Sequence, residues 1–422
     1  MPKTLVLTLL ACLLFPCIKN ADGAGVYLQI RKQAGEKIKI ALPETGSAAG
    51  GKIVKTVSSD LDLSGYANIT DREFSNDTYK AGKLNFPEWS RAGAEVLVLI
   101  ETTEEGDSIT AETRVYIVAE GKNIFAKRYQ GPAGRLDGIS HAVSSDILKA
   151  LTGEKGISGT KIAFVSNRTG TKKIYIMDYD GKNWRKITGD ECLELSPGWS
   201  PDGNKLIYTS YRLGYPDVYI QDLDTGARRK LSAFAGLNAF AAFSPDGNSI
   251  ALVLSKDGNP ELYVMKIDGS SLKRLTRTRA VESSPCWSPD GKRIAFVSDR
   301  SGGPQIYSIN ASGGEFERIT LSGSYNTSPC WSPDGRWIAF SSKLNGRFQV
   351  CISDVGTKEA ICVSDGRFDD DDPSWAPDSR HIVFKRTKNY LADLYIVDID
   401  DGKLVQITSD RFDEEFPAWS PE

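Results

Sequence analysis

Trp331-Ser332-Pro333-Asp334-Gly335 is one of six copies of an aromatic-led turn set along the chain at a constant interval. Trp199, Phe243, Trp287, Trp331, Trp375 and Trp419 each stand 44 residues from the next. A period in the forties with strand-like content points to propeller blades rather than helical hairpins. Ser at the first turn position, Pro at the second and Gly at the fourth suit a type I turn. A strand carrying an aromatic anchor therefore ends here and the chain reverses. Two copies depart from the pattern: Phe243 replaces Trp, and Trp375-Ala376-Pro377-Asp378-Ser379 loosens its turn.

Other features keep the same register. Ile162, Leu206, Ile250, Ile294, Ile338 and Ile382 begin runs such as Ile294-Ala295-Phe296, apolar on both faces as strands sandwiched between sheets should be. A third strand is expected at Ile174, Val218, Leu262, Ile306, Val350 and Leu394, followed by turns such as Asp180-Gly181 and Asp268-Gly269. A fourth should close on Ile187-Thr188, Leu231-Ser232, Leu275-Thr276, Ile319-Thr320, Val363-Ser364 and Ile407-Thr408. The first repeat opens at Lys161-Ile162 with no aromatic strand before it, and the last aromatic strand is followed only by Ser420-Pro421-Glu422. The C-terminal strand is thus expected to complete the N-terminal blade and remove an exposed edge, giving a six-bladed β-propeller over residues 157–422.

Residues 22–156 lack the period and read as a small α/β domain. Val26-Tyr27-Leu28-Gln29-Ile30 and Lys37-Ile38-Lys39-Ile40 alternate like strands, and apolar positions 53, 57 and 61 suit a helix within 48–61. A short helical stretch near Trp89 precedes a strand over 94–100, and 114–119 with 123–129 read as a hairpin around Glu120-Gly121. Leu136, Ile139, Val143, Ile147 and Leu151 form an amphipathic stripe ending at Gly153, where a helix C-terminus belongs. The connector 156–160 is short, so the domains are expected to touch.

The apolar run from Thr4 to Ile18 behind Lys3, with small residues around Ala21 to Ala24, reads as a secretory signal over residues 1–21 with an exit at 21–24. Leu9-Leu10-Ala11-Cys12 resembles a lipoprotein signal, but the apolar run before it is too short. A soluble, exported mature protein is expected. The net charge of -3 gives no reason to expect a nucleic-acid partner. Seven cysteines then meet an oxidising compartment. Cys12 and Cys17 leave with the signal. Cys351 and Cys362 flank the turn around Val355-Gly356 and are either bridged or two free thiols. Cys286 and Cys330 occupy one position in adjacent blades and read as small buried side chains, while Cys192 has no evident partner.

Catalytic and cofactor signatures are sparse, and no cofactor is expected. Gly46-Ser47-Ala48-Ala49-Gly50-Gly51-Lys52-Ile53 nearly matches a phosphate-binding loop, yet Ile53 stands where a Ser or Thr hydroxyl must hold Mg²⁺. It reads as a Gly-rich approach to a helix. There is no Gly-x-Ser-x-Gly elbow and no His-Glu-x-x-His motif. Only His141 and His381 are present, and no Cys-x-x-Cys pair, so metal ligation is not expected. His141 lies off its helix's apolar stripe and reads as a surface or interface residue.

Five residues before each aromatic stand Glu194, Asn238, Glu282, Asn326, Asp370 and Glu414. These polar positions should begin the innermost strands near one mouth of the central channel, beside Asp369 to Asp372 and Asp413-Glu414-Glu415. Three readings are open: a solvated acidic rim, a protein-docking surface, or a bound cation such as Ca²⁺.

The segments Lys127-Arg128-Tyr129-Gln130-Gly131, Ile139-Ser140-His141-Ala142-Val143 and Ala150-Leu151-Thr152-Gly153-Glu154-Lys155-Gly156-Ile157, running into Lys161-Ile162-Ala163-Phe164-Val165-Ser166, resemble the TolB family. So do Val26-Tyr27-Leu28-Gln29-Ile30 and the two-domain plan. Trp-Ser-Pro-Asp-Gly repeats occur in peptidase and other periplasmic propellers; the joining segment with the α/β domain makes the likeness specific. The resemblance implies a non-enzymatic periplasmic component of the Tol-Pal system. It implies that the propeller mouth, through Glu194, Asn238, Glu282, Asn326, Asp370 and Glu414, docks the peptidoglycan-associated lipoprotein Pal. The mature tail, roughly 21–31 with Asp22, Val26, Tyr27, Leu28 and Ile30, would contact TolA, and the system keeps the outer membrane intact and following the dividing cell. A propeller holding a small ligand or glycan in its channel is the alternative. A propeller lyase would need converging His or Arg groups, and a peptidase would need a hydrolase domain after the propeller.

Overall fold

The computed structural model describes residues 36–43, 47–70, 84–189 and 191–421. The N-terminal domain is a five-stranded sheet in the order β2-β1-β3-β4-β5, built from β1 (Ile38–Ala41), β2 (Ala67–Ile69), β3 (Val96–Glu105), β4 (Ser108–Ile117) and β5 (Lys122–Pro132). β1 runs parallel to β2 and β3, and β3 to β5 form an antiparallel meander. Helices α1 (Ala48–Leu63) and α3 (Leu136–Thr152) cover one face and the short α2 (Phe86–Arg91) the other. The run Val96–Ile100 serves both faces: Val96, Val98 and Ile100 join the α1/α3 core, while Leu97 and Leu99 pack with Trp89 of α2. Its continuous apolarity has that cause. Ser47 caps α1, its hydroxyl accepting from Gly50 N at 2.9 Å, so the Gly-rich stretch is a helix start. Gly153, left-handed at φ 84°, ends α3.

The hairpin expected at 114–129 has longer arms, and β3 continues to Glu105 to make a second hairpin over Gly106-Asp107. Residues 101–113 hid this extension, because they are mostly polar and 103–107 face solvent. The Val26–Ile30 strand expected from the sequence and the proposed tail residues Asp22, Val26, Tyr27, Leu28 and Ile30 lie outside the described residues.

Six four-stranded antiparallel sheets follow. Their innermost strands are Glu194–Trp199, Asn238–Phe243, Glu282–Trp287, Asn326–Trp331, Asp369–Trp375 and Glu414–Trp419. The last pairs with Lys161–Ser166, Trp419 opposite Ile162, so the first blade draws strands from both ends of the propeller. Lys161 N donates to Ser420 Oγ at 2.9 Å and Trp419 Nε1 to Thr160 Oγ1 at 2.8 Å, fastening the closure. Elsewhere the tryptophan reaches sideways: Trp199, Trp287 and Trp375 donate through Nε1 to the Ala418, Ala242 and Cys330 carbonyls of the preceding blade. At these three positions the Trp is an apolar plate with one donor that ties blades together, whereas Trp331 Nε1 donates to Gly335 O of its own turn.

The turn chemistry is as expected. In the Trp331 copy, Gly335 N donates to Ser332 O, Arg336 N to Asp334 Oδ1 and Trp337 N to Ser332 Oγ, with Gly335 at φ 78°. The outer strands differ from expectation. In five blades the strand stops just before the expected apolar-hydroxyl pair, as at Arg185–Lys186 before Ile187-Thr188. The hydroxyl takes over the ladder: Ile174 N donates to Thr188 Oγ1 and Leu394 N to Thr408 Oγ1. Short outer strands leave little backbone edge for other chains to pair with. Cys351 and Cys362 are cross-strand partners and are bridged.

Because strands alternate in direction, the Trp-led turns and the third-to-fourth strand turns share one face, here the turn face. Loops that precede the innermost strands, and the second-to-third strand turns, share the other, the loop face. Polar ties between the described residues of the N-terminal domain and the propeller reach the turn face of the first and last blades. Lys37 pairs with Asp401 and Lys403 with Asp62, each at 2.7 Å. Arg380 Nη2 donates to Gly65 O and its guanidinium lies 4.6 Å from the Tyr66 ring centre. At the centre, buried Asp60 accepts from Ser144 Oγ at 2.7 Å and from Tyr179 Oη, and bonds His141 Nδ1 at 2.8 Å. His141 is buried in this interface, 4% exposed, rather than at the surface. Burial alone would lower its pKa, but the hydrogen bond and charge of Asp60 outweigh that and raise it. Its stabilising contribution is therefore complete below the ordinary 6.5 and is lost as pH rises through the raised value.

Asp60→Ala leaves His141, Ser144 and Tyr179 without their shared acceptor, and is expected to cost about 2–4 kcal/mol. Chemical denaturation with limited proteolysis of the 153–160 connector checks this. An unchanged midpoint and an uncut connector would assign domain docking to the other contacts.

Candidate functional site

The six polar residues expected at the channel mouth do begin the innermost strands, but all are 0% exposed. As side chains they form neither a solvated rim nor a docking surface, and this corrects the reading of them as surface groups. Their partners explain the burial. Glu414 Oε1 accepts from Arg168 Nη2 at 2.7 Å and Ser166 Oγ at 2.9 Å. Glu282 Oε1 accepts from Arg300, Ser298 and Thr278 at 3.0, 3.1 and 3.0 Å. Asp370 is held in a fork by Arg386 at 2.6 and 2.8 Å. Arg228 lies 3.9 Å from Glu194. A buried carboxylate is tolerated when it is paired and hydrogen-bonded, and these are.

The two amides do the same work without charge. Asn238 Oδ1 accepts from Ser232 Oγ and Phe234 N, and its Nδ2 donates to the Phe234 and Gly236 carbonyls. Asn326 Nδ2 donates to Gln305 Oε1 at 2.8 Å and to Ser322 O at 2.9 Å. These residues fold the loops in front of the innermost strands. A signal for this was present in the sequence: Ser166-Asn167-Arg168 and Ser298-Asp299-Arg300 share one phase of the 44-residue interval and supply the cations that meet Glu414 and Glu282.

The neighbouring acidic runs are likewise neutralised. Lys385 lies 3.8 Å from Asp371 and 3.6 Å from Asp372, and Lys172 pairs with Glu415. Among the described residues no group of three or more His, Cys, Asp or Glu side chains is arranged to hold a metal ion. His381 is buried with Nδ1 2.6 Å from Asp378 Oδ2, a tie within its own turn.

What the anchored loops present is apolar. Leu213 and Tyr215 in a second-to-third strand turn are 60% and 75% exposed. Val281, Leu321 and Tyr325 in loops ahead of the innermost strands are also exposed, as is Tyr390. All lie on the loop face, away from the N-terminal domain.

The channel wall itself rests on a feature the sequence reading missed. Ser196, Phe240, Ser284, Ser328, Asp372 and Phe416, the equivalent positions of the six innermost strands, are all left-handed at φ 49–54°. Each sits in a register break against the second strand. Five are followed by proline, which disfavours a right-handed helical conformation before it and has no N–H for the ladder. The recurring Pro197, Pro285, Pro329, Pro373 and Pro417 were the available signal. The bulges line a cavity of about 260 Å³ with both phenylalanines, three serines and Asp372. Burial and the charge of Asp371 push Asp372 up to about 6, against Lys385.

The TolB beta propeller domain family matches residues 148–422, and the TolB amino-terminal domain family matches residues 26–124. The chain belongs to the TolB family. The Tol-Pal system protein TolB of Geobacter metallireducens is 38% identical over 206 residues, covering 47% of each chain. A protein TolB homolog of Chlorobaculum tepidum is 33% identical over 205 residues, again 47% of each. The matched segment spans about half the length of these curated relatives. The crystal structure of TolB from Acinetobacter baumannii superposes over 92% of this chain and 97% of its own, with a TM-score of 0.83 at 29% identity. A chain of the nidogen/laminin complex shares the fold alone, at 10% identity and TM-score 0.53 over 62% of this chain and 98% of its own.

In this TolB-family chain, burial raises Glu414 from the ordinary 4.5 to about 7, against the lowering pull of Arg168 and Ser166. A carboxyl with a raised folded-state pKa stabilises the fold below its unfolded value, and that contribution disappears as pH rises through 7. The wild type is expected to lose stability through this group between pH 4.5 and 7, and Glu414→Gln to flatten the slope. Urea midpoints across that range check it, and an identical slope in both proteins would assign the dependence elsewhere. Glu282→Lys sets an ammonium against Arg300 in a buried site, with an expected loss of about 3–5 kcal/mol; a midpoint equal to that of Glu282→Gln would contradict the burial argument.

Proposed function

We propose that this chain is a non-enzymatic periplasmic component of the Tol-Pal system that binds a Pal-type peptidoglycan-associated lipoprotein on the loop face of its propeller. TolA binds the tail, within 22–31, and the assembly maintains the outer membrane and its constriction during division. The observation that carries the reading is the division of faces. The N-terminal domain occupies the turn face through Asp60, Lys37 and Arg380, and the loop face displays Leu213, Tyr215, Val281, Leu321 and Tyr325. Exposed apolar groups gathered on one face mark a protein-interaction surface.

Glu194, Asn238, Glu282, Asn326, Asp370 and Glu414 act in this reading as positioning residues. Asn326 holds the loop bearing Leu321 and Tyr325, and Glu282 holds the loop ending in Val281. The periplasmic, Tol-Pal assignment is supported by relatives that carry the name Tol-Pal system protein TolB. Both histidines are committed to carboxylates, Asp60 and Asp378, which supports a binding rather than a catalytic role. The phenylalanine-lined cavity is the one feature that favours the small-ligand alternative.

Calorimetric titration with the soluble domain of the lipoprotein tests the surface. The paired changes Leu213→Ser with Tyr215→Ser, and Leu321→Ser with Tyr325→Ser, are each expected to weaken binding at least tenfold, about 1.4 kcal/mol, at unchanged melting temperature. Equal affinity in both variants would remove the loop face. Removal of residues 22–31 is expected to abolish TolA binding while lipoprotein binding to the propeller persists.

A further inference from the structure

Cys286 and Cys330 hold equivalent positions on the innermost strands of adjacent blades, where the other four blades carry Gly198, Ala242, Ser374 and Ala418. Both thiols are half-buried and both line the central cavity. The side chain at this position reaches across to the next blade: Ser374 Oγ accepts from Trp419 N at 2.9 Å, and Cys286 Sγ accepts from Trp331 N at 3.1 Å. That nitrogen belongs to the peptide whose carbonyl carbon is bonded to the Cys330 Cα. Two covalent bonds therefore put the Cys330 Cα no more than about 5.5 Å from the Cys286 sulfur. The Cys286 sulfur is thus within side-chain reach of Cys330, and a disulfide closes when the two Cβ atoms stand about 4 Å apart.

We propose that Cys286 and Cys330 are a redox-convertible dithiol in the channel wall, which a small disulfide entering the cavity oxidises to a second disulfide linking two innermost strands. The polarity of the pair favours one order of attack. The neighbouring Cys330 thiol, together with burial, raises Cys286 well above the usual thiol value, while the Cys286 thiol, the Trp375 N–H and Ser374 lower Cys330. Cys330, as thiolate, attacks one sulfur of the small disulfide, forming a mixed disulfide and releasing one small thiol. Cys286 then loses its proton, attacks the Cys330 sulfur and expels the second small thiol. Two protein thiols are oxidised to one disulfide and the added disulfide is reduced to two thiols. Cys192 stands apart, its sulfur beside Glu194 and Ser210, and takes no part.

The test uses the mature chain carrying Cys192→Ser, folded, reduced under conditions that keep Cys351–Cys362 intact, and incubated with 2-hydroxyethyl disulfide. Thiols are then counted by maleimide labelling in denaturant, and peptides are mapped by mass spectrometry. The expected result is loss of both thiols with a Cys286–Cys330 cross-linked peptide and no retained adduct, reversed by a dithiol reductant. With Cys286→Ser added, Cys330 is expected to keep the mixed disulfide. Serine is the residue of an equivalent blade position, so this variant retains the hydrogen bond to Trp331 N. Survival of both thiols in the folded chain, or stable adducts on each without a cross-link, would overturn the proposal. A melting temperature that rises on oxidation of the parent and not of the Cys286→Ser form would place the link between blades.

Discussion

Everything in the propeller depends on one strand pairing, Glu414–Trp419 against Lys161–Ser166. An open row of six sheets would expose two long strand edges and leave the first blade without its inner strand. Pairing the two ends removes both problems, and the ring then behaves as a closed structure in which each blade is packed on two sides. The local chemistry of closure is modest: a backbone ladder, the Ser420 hydroxyl and the Trp419 indole on Thr160. Its effect is large because it fixes the geometry of all other blade contacts. It also places the buried Glu414–Arg168 pair across the closure, since the carboxylate comes from the last strand and the guanidinium from the first blade.

The same closed ring converts a line of polar residues into a loop-folding device. Glu194, Asn238, Glu282, Asn326, Asp370 and Glu414 sit under the loop face, and each reaches hydroxyls, guanidinium groups or main-chain groups of the loops or neighbouring strands. Carboxylates recruit arginine from the second strand, as with Arg386, or from the turn just after it, as with Arg168 and Arg300, whereas the asparagines bond main chain directly. Removing one member leaves a buried charge or donor without its partner, which is why their influence on the exposed apolar surface runs through loop position rather than contact. The bulge at Ser196 and its five equivalents belongs to the same layer, turning the strand so that its side chains line the cavity.

The N-terminal domain adds a directional constraint. Its helices α1 and α3 meet the propeller through Asp60, Asp62, His141 and Ser144, and the propeller answers with Tyr179, Arg380, Asp401 and Lys403 from turn-face positions. An interface with a buried carboxylate at its centre and ion pairs at its edge responds to pH and salt more than an apolar one does. The two faces of the ring are thereby made unequivalent: one is occupied by the chain's own domain and the other presents Leu213, Tyr215, Leu321 and Tyr325.

The 44-residue interval, the Trp-Ser-Pro-Asp-Gly turns and the alternating apolar runs determined the blades, their number and the closure from sequence alone, because period and turn chemistry are local properties of the chain. The positions of α1 and α3 were legible for the same reason. The likeness carried by residues 127–166 pointed to the TolB family. Burial of Glu194, Glu282, Asp370 and Glu414 was decided only by tertiary structure, because a charged residue at a strand start reads as exposed until folding brings its arginine alongside, Arg228 from the fourth strand for Glu194 and Arg300, Arg386 and Arg168 from in or just after the second strand for the others. His141 was hidden for a related reason: it lies off the apolar stripe of α3, but that flank is covered by Asp60 and Tyr179 from elsewhere in the chain. The approach of Cys286 to the strand of Cys330 and the gathering of exposed apolar loops on one face likewise required the ring, since residues 44 or more apart become neighbours only when the blades close around the channel.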